Sequence, residues 1–398
     1  MRIGLISPSI YMSPTLFGDK IFAPRDLSVA LADGLVDKGH EVYFFTAPDI
    51  KTKAILIGGD EGLLKNSLIK EKAQGQSGGE RFRWASFYTL KRSYEMDLTE
   101  QCYKVALDGK LDIIHSYHDT LAHFFNELTK FPTVYTLHDP LPSNKNALFY
   151  WLLEKFKQQN YVSISKAFQR FDKLNLNFID TVYHGINASE YQFFSNKGEY
   201  LAFIGRMEKE KGAEIAIDVA NAVKKKIKIA TSPETQYESL PYYKDVISPR
   251  ITSEVIFTGF LDPKGKHEFL GNALCLLFPI QWEEPFGMVL IEAMACGTPV
   301  VAYNRGSVSE IVEDGVTGFI VDGDDEERPG KGSWIIKKQG IEGLIEAVQR
   351  IDSLSEEEHL QMRKSCRKHI EENFSVGKMV AGYEKVYSSL VRNIKSSL

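Results

Sequence analysis

Two carboxylates eight positions apart, Glu284 and Glu292, stand in "QWEEPFGMVLIEAMACGTPVV", residues 281–301. The second lies in a run that is otherwise apolar. Pro285 turns the chain into a helix that Gly297 ends before the strand "TPVV". A helix apolar on nearly every face is buried, and an unpaired carboxylate on it is costly or forced to protonate. Glu292 therefore needs donors, either a neighbouring Lys or Arg or the hydroxyls of a ligand. Glu284 precedes the helix start. There the N–H groups of Phe286, Gly287 and Met288 project from the positive end of the helix dipole, and Gly287 lets a ligand approach the backbone. A carboxylate with several amide donors suits a polyhydroxylated ring. Glu292, deeper in the helix, then accepts from the two hydroxyls of a ribose, and Val289 joins the same donor-binding surface.

A second stretch, "FIGRMEKEKG" (203–212), places Arg206 and Lys211 around a turn between a strand ending at Gly205 and a helix. Two cations beside a helix N-terminus make a pyrophosphate site. Glu208, Lys209 and Glu210 in the same turn keep a solvated charged loop open as the alternative.

The elements that must position these groups follow from periodicity. "RIGLIS", then "LSVALADGLVDKGHEVYFFTA", reads as strand, helix, Gly39 stop and strand; "LDIIHSY", "PTVYTLH" and "NYVSIS" are further strands. The pattern restarts near residue 200 with "YLAFIGR", a helix, "IKIAT", "EVIFTGF", "ALCLLFP", "TPVVAY" and "TGFIV". Strands alternating with helices imply parallel sheets covered on both faces. The fold class is α/β, with two doubly wound Rossmann-like domains facing a cleft. The expected boundaries are 1–188 for the first domain and 189–377 for the second, with a C-terminal helix, about 378–398, returning to the first. "HGINASEYQFFSNKGEY" is the expected linker, and residues 70–83 and 322–333 are expected loops.

Composition narrows the classes. The chain has 398 residues, 43% hydrophobic and 25% charged, with a formal net charge of -5, so nothing advertises nucleic acid or an anionic membrane. Four widely spaced cysteines, Cys102, Cys275, Cys296 and Cys366, read as buried thiols in a reducing compartment. With no signal peptide and no membrane-spanning run, a cytoplasmic location is expected. "ALFYWLLEKFKQQNY" (147–161) is aromatic and apolar, and its two readings are core packing and peripheral contact with a lipid surface.

"GRMEKEKG", followed by "EEPFGMVLIEAMACGTPVVA" and "GSVSEIVEDGVTGFIV", closely resembles the retaining glycosyltransferases of family 4, with the two-domain GT-B fold. "GHEV", "VYHGIN" and "ENFS" extend the resemblance over most of the chain. It implies a metal-independent enzyme without a cofactor that moves a hexose from a UDP- or GDP-linked donor to a small-molecule, glycan or lipid-linked acceptor. Under it Arg206 and Lys211 hold the diphosphate, Glu292 the ribose and Glu284 the donor sugar, with Gly205 and the amides near Phe286, Gly287, Met288 and Val289 completing the site. The favoured mechanism is front-face attack, the departing phosphate taking the acceptor's proton. It also implies a histidine near the donor sugar. "LDIIHSYHD" offers His115 and His118, with His118 favoured for the catalytic set, and His138 in "TLHDP" stands at another strand end. The chain departs from the family in its first loop, "SPTLFGDKIFAPRDL", where a double glycine is usual. Gly18 is the only glycine there, and Lys20 or Arg25 could meet a phosphate or the acceptor. Alternatives are a sugar-nucleotide epimerase or phosphorylase on the same fold, a nucleotide-sugar-binding module without turnover, and a metal-dependent transferase using Asp322 and Asp324.

Overall fold

The computed structural model describes all residues except 19–21, 65–79, 118–120, 143, 232–237, 239, 325–331 and 396–398; for 80–90 and 393–395 it describes the backbone alone. The chain divides into two compact units. Unit 1 comprises Met1–Ile164, Gln169–Gly185 and Val376–Leu398, and unit 2 comprises Ser165–Phe168 and Ile186–Ser375.

Unit 1 is built on seven parallel strands: β1 (Arg2–Ile6), β2 (Glu41–Thr46), β3 (Ile55–Gly58), β4 (Ile113–Ser116), β5 (Thr133–Thr136), β6 (Asn160–Ser163) and β7 (Phe178–Thr181). Their order in the sheet is β3-β2-β1-β4-β5-β6-β7. Unit 2 has β8 (Tyr200–Ile204), β9 (Ile227–Ala230), β10 (Val255–Gly259), β11 (Ala273–Phe278), β12 (Val300–Tyr303) and β13 (Gly318–Val321), in the order β10-β9-β8-β11-β12-β13. Each sheet runs outward one way and then returns to its centre to run the other way. That creates a switch point beside β1 in unit 1 and beside β8 in unit 2, where doubly wound sheets bind ligands at the strands' C-terminal ends. Strands such as "ALCLLF", buried at every residue, are continuous rather than alternating because helices cover both faces.

Several expected boundaries move. The segment read as a linker is packed into unit 2: Ile186 N–H donates to Phe374 O at 2.9 Å, Phe194 N–H donates to Cys296 O at 3.1 Å, and Ile186 bridges to Ser375. Its Phe193 and Phe194 outweigh its polar residues. Residues 80–83, expected as loop, open the helix Glu80–Leu107. Its buried stripe, Tyr94, Leu98, Cys102 and Ala106, has helical spacing but few of the aliphatic side chains that make such a stripe legible. Residues 70–79 and most of 322–333 lie outside the described set. The helix Val376–Lys395 packs on Ala23–Asp37 within unit 1, with Met379, Tyr383, Val386 and Tyr387 buried. The four cysteines are buried and free of disulfides. In the helix Leu148–Lys155, Tyr150, Leu152 and Leu153 are buried, while Leu148 and Trp151 are exposed. No described helix is long and apolar enough to cross a membrane.

Unit 1 also buries neutral histidines. His115 bonds Tyr387 Oη through Nδ1 at 2.6 Å and Thr136 Oγ1 through Nε2 at 2.8 Å. Burial pushes its pKa from 6.5 down to about 3, and that of His184 likewise to about 3. His123, between the Tyr135 and Phe156 rings, is pushed by burial to about 4, partly offset by its bond to Gln159. The unfolded chain binds these protons near pH 6.5 and the folded chain does not, so their stabilisation is complete above 6.5 and is lost as pH falls toward 3. Each histidine costs about 1.4 kcal/mol per pH unit across that window. Urea titrations from about pH 7.5 down to about pH 5 are expected to give falling stability, with the C2–H resonances of His115 and His184 unshifted over the same range.

Candidate active site

In unit 2 the loops leaving β8 and β11 converge at the switch point. The β8 loop turns through Lys209–Lys211 and enters the helix Ala213–Val223 at Gly212, whose φ of +74° needs glycine and where a Cβ would collide with Pro279 O. Gln281 N–H donates to Glu210 O at 2.8 Å, fastening the two loops together. Across this join Lys211 Nζ donates to Glu284 Oε2 at 3.2 Å, with the two side chains 18% and 13% exposed. Trp282 Nε1–H donates to the same oxygen at 2.9 Å, and Lys211 Nζ lies 4.5 Å from the centre of the Trp282 ring.

The loop after β12 holds Glu284 from the other side. Ser307 N–H donates to Glu284 O at 3.0 Å, Ser307 Oγ to Phe286 O at 2.6 Å, and Gly306 N–H to Glu283 Oε2 at 2.5 Å. Ser165 Oγ donates to Pro285 O at 2.7 Å. The helix starts at Met288, with Gly287 before it at φ +86°. The Met288 and Val289 amides therefore open the first turn, where the helix offers them no acceptor. Phe286 is 2% exposed and its ring meets Phe374 edge-on, so its ring is a packing element of this loop.

Of the two kinds of donor open to Glu292, a neighbouring cation is present. Lys266 Nζ, from the helix Pro263–Gly271, donates to Glu292 Oε1 at 2.7 Å, and the carboxylate side chain is 13% exposed. The physical demand for a donor is met within the protein, and Oε2 has no described partner. Arg206 is 60% exposed and pairs with Glu208 at 3.2 Å, apart from the Lys211–Glu284 contact; Gly205 N–H bonds Ala230 O at the end of β9.

Unit 1 has a cavity of about 420 Å³ at the ends of β1 and β5, lined among others by Tyr11, Phe22, Lys91, Arg92, Glu95 and His138. Glu95, nearly buried, pairs with Arg92 at 3.0 Å and Lys91 at 3.8 Å. His138 Nε2–H donates to Tyr117 O at 2.6 Å, and its ring stacks on His184. His115 is a core histidine with both ring nitrogens engaged, which removes it as a substrate contact. His118 and Lys20 lie outside the described residues. Gly18 has an ordinary right-handed conformation. Arg25 donates to Phe17 O at 3.2 Å, bracing its own loop. Asp322 accepts from Asn304, Gly332 and Trp334, which uses the first carboxylate of the Asp322–Asp324 alternative. Among the described residues no three His, Cys, Asp or Glu side chains gather in a metal-binding group.

Residues 187–331, which contain both converging loops and both glutamates, match the family model of the glycosyl transferases group 1. That segment belongs to the group 1 glycosyltransferases. N-acetyl-alpha-D-glucosaminyl L-malate synthase of Bacillus anthracis is 26% identical over 76% of this chain and 81% of its own. An uncharacterised 41.2 kDa protein from the cps region of Klebsiella pneumoniae is 26% identical, and the chain spans about half of it, 46%. The structure of Anabaena HepE in complex with UDP and glucose aligns with a TM-score of 0.63 at 18% identity, covering 98% of this chain and 100% of that one. A likeness at that identity speaks for the fold, and the two Rossmann-like units are those of GT-B glycosyltransferases.

In this glycosyltransferase, sequence reasoning missed Trp282, Lys266 and Ser307. Trp282 stands two residues before Glu284, so an aromatic donor beside a carboxylate was there to be noticed. Lys266 and Ser307 carry no spacing signal, because only the fold brings them to Glu292 and Glu284. A Cβ on Gly306, at φ +55°, would collide with the Glu284 backbone. Gly306→Ala is therefore expected to cost about 1–3 kcal/mol in chemical denaturation by straining this loop.

Proposed function

We propose that this glycosyltransferase moves a hexose, with glucose favoured, from a UDP-linked donor to a hydroxyl acceptor with retention of configuration and without a metal. The single observation that carries the reading is the Lys211–Glu284 contact at the switch point beside an open helix N-terminus. A cation, a carboxylate and helix N-terminal amides side by side are the groups that a nucleotide sugar requires, which supports the reading. The complex of Anabaena HepE with UDP and glucose favours UDP over GDP.

In this reading Lys211, assisted by Arg206, takes the diphosphate and stabilises charge as the bond to the sugar breaks. The Met288 and Val289 amides add fixed donors. Glu284 accepts from the sugar hydroxyls and sets its orientation, while Glu292, steadied by Lys266, accepts from the ribose. The acceptor's proton passes to the departing phosphate on the same face, so catalysis rests on positioning and on cationic stabilisation of the leaving group. The cavity of unit 1 holds the acceptor, with His138 and the Lys91–Arg92–Glu95 cluster as its polar contacts and Tyr11 and Phe22 as its apolar ones. The B. anthracis relative named for L-malate supports a small hydroxylated acceptor.

Calorimetric titration with UDP, GDP, ADP and their hexose conjugates, with and without EDTA, tests this. UDP-glucose is expected to bind equally in both conditions. Lys211→Ala should weaken UDP itself by about tenfold or more, and Glu292→Ala should weaken every uridine ligand by a similar factor. Near wild-type binding by both variants overturns the site assignment. Binding without turnover across acceptors would favour a binding module.

A further inference from the structure

Glu284 Oε2 accepts two hydrogen bonds, from Lys211 Nζ at 3.2 Å and from Trp282 Nε1 at 2.9 Å. Its other oxygen, Oε1, has no partner among the described residues. The two donors differ in kind. Lys211 is a mobile ammonium on a flexible stem, and a diphosphate carries more negative charge than a carboxylate. Trp282 is a rigid, half-buried ring whose N–H can only donate. Glu283, the next carboxylate, turns away to Gly306 N–H and faces Arg305 at 3.9 Å, so it does not compete for the indole.

We propose that Trp282 is the positioning residue for Glu284. Its indole N–H keeps the carboxylate aimed at the donor's sugar when the diphosphate draws Lys211 away. The same ring supplies a π face for the ammonium, 4.5 Å from its centre, and so guides Lys211 between carboxylate and phosphate. One side chain thereby serves both ends of the movement: its edge holds the acid and its face accompanies the base. Phenylalanine would keep the face and lose the N–H. The inference rests on the donor reading above, in which Lys211 meets the diphosphate and Glu284 the sugar.

The test compares UDP with UDP-glucose as calorimetric ligands of the full chain, and follows release of glucose and UDP as water replaces the acceptor. Trp282→Phe is expected to hold UDP within about twofold of wild type, because Lys211 and the ring face remain. It is expected to weaken UDP-glucose and to slow UDP-glucose hydrolysis by about tenfold, the usual effect of losing a hydrogen bond to a charged group. Equal weakening of UDP and UDP-glucose would mean that Trp282 merely supports the loop, and unchanged UDP-glucose binding and turnover would mean that the indole N–H does nothing; either overturns the proposal. Failure of the wild-type protein to bind either ligand would instead overturn the donor reading. A second measurement does not depend on that variant folding. In 15N-tryptophan-labelled protein, one of the four indole signals should move on Glu284→Gln, and in the wild type it should keep its protection from exchange with UDP bound. If no indole signal responds to Glu284→Gln, the bond does not exist.

Discussion

The proposed donor site depends on how closely two β–α loops can approach. Lys211 follows β8 and Glu284 follows β11, 73 positions apart in the chain, and their contact requires the backbone at 209–212 to lie against that at 279–281. Glycine makes this possible at two positions. Gly212 and Gly306 both have positive φ, and a Cβ on either would collide with neighbouring backbone. Strain confined to glycines costs little. The result is a pair of half-sequestered opposite charges at the one edge of the sheet where the strand order reverses.

Each of the two glutamates has its own lysine, contributed by a different segment. Lys211 comes from the turn after β8, and Lys266 from the helix that follows β10. A carboxylate so little exposed needs donors for its oxygens, and a carboxylate oxygen is what a sugar hydroxyl can donate to. The lysines therefore have a structural reason to be present before any ligand is considered. The ammonium that satisfies Glu284 can also exchange it for a stronger anion. Such an exchange needs something to keep the carboxylate in place, and Trp282 has the geometry to do it.

How much of this the sequence carried varied with the physics. Strand and helix alternation was legible because strands such as "ALCLLF" and "VVAY" are continuous apolar runs. Strand β3 carries only a short apolar run, Ile55, Leu56 and Ile57, and is half exposed along its length, which makes a weaker signal. The helix Glu80–Leu107 hides its buried face in tyrosine, cysteine and alanine. Glu292 was visible as a carboxylate in an apolar run and Glu284 as one just before a helix start, and the demand of Glu292 for a donor is met by Lys266. Which donor it has depended on Lys266, 26 positions away, whose placement is set by the packing of two helices. His115 shows the limit from the other side. A histidine at a strand end looks like a ligand contact, but the strand is central and the helix Val376–Lys395 covers it, supplying Tyr387 to its ring.

The central claim is that a nucleotide sugar sits where the β8 and β11 loops meet. Hydrogen–deuterium exchange of the wild-type chain with and without saturating UDP-glucose tests it without any substitution. The claim predicts that protection gained on binding concentrates in residues 205–212 and 284–292, the two loops and the helix they open. Protection elsewhere, with those two segments exchanging as in the free protein, would contradict it.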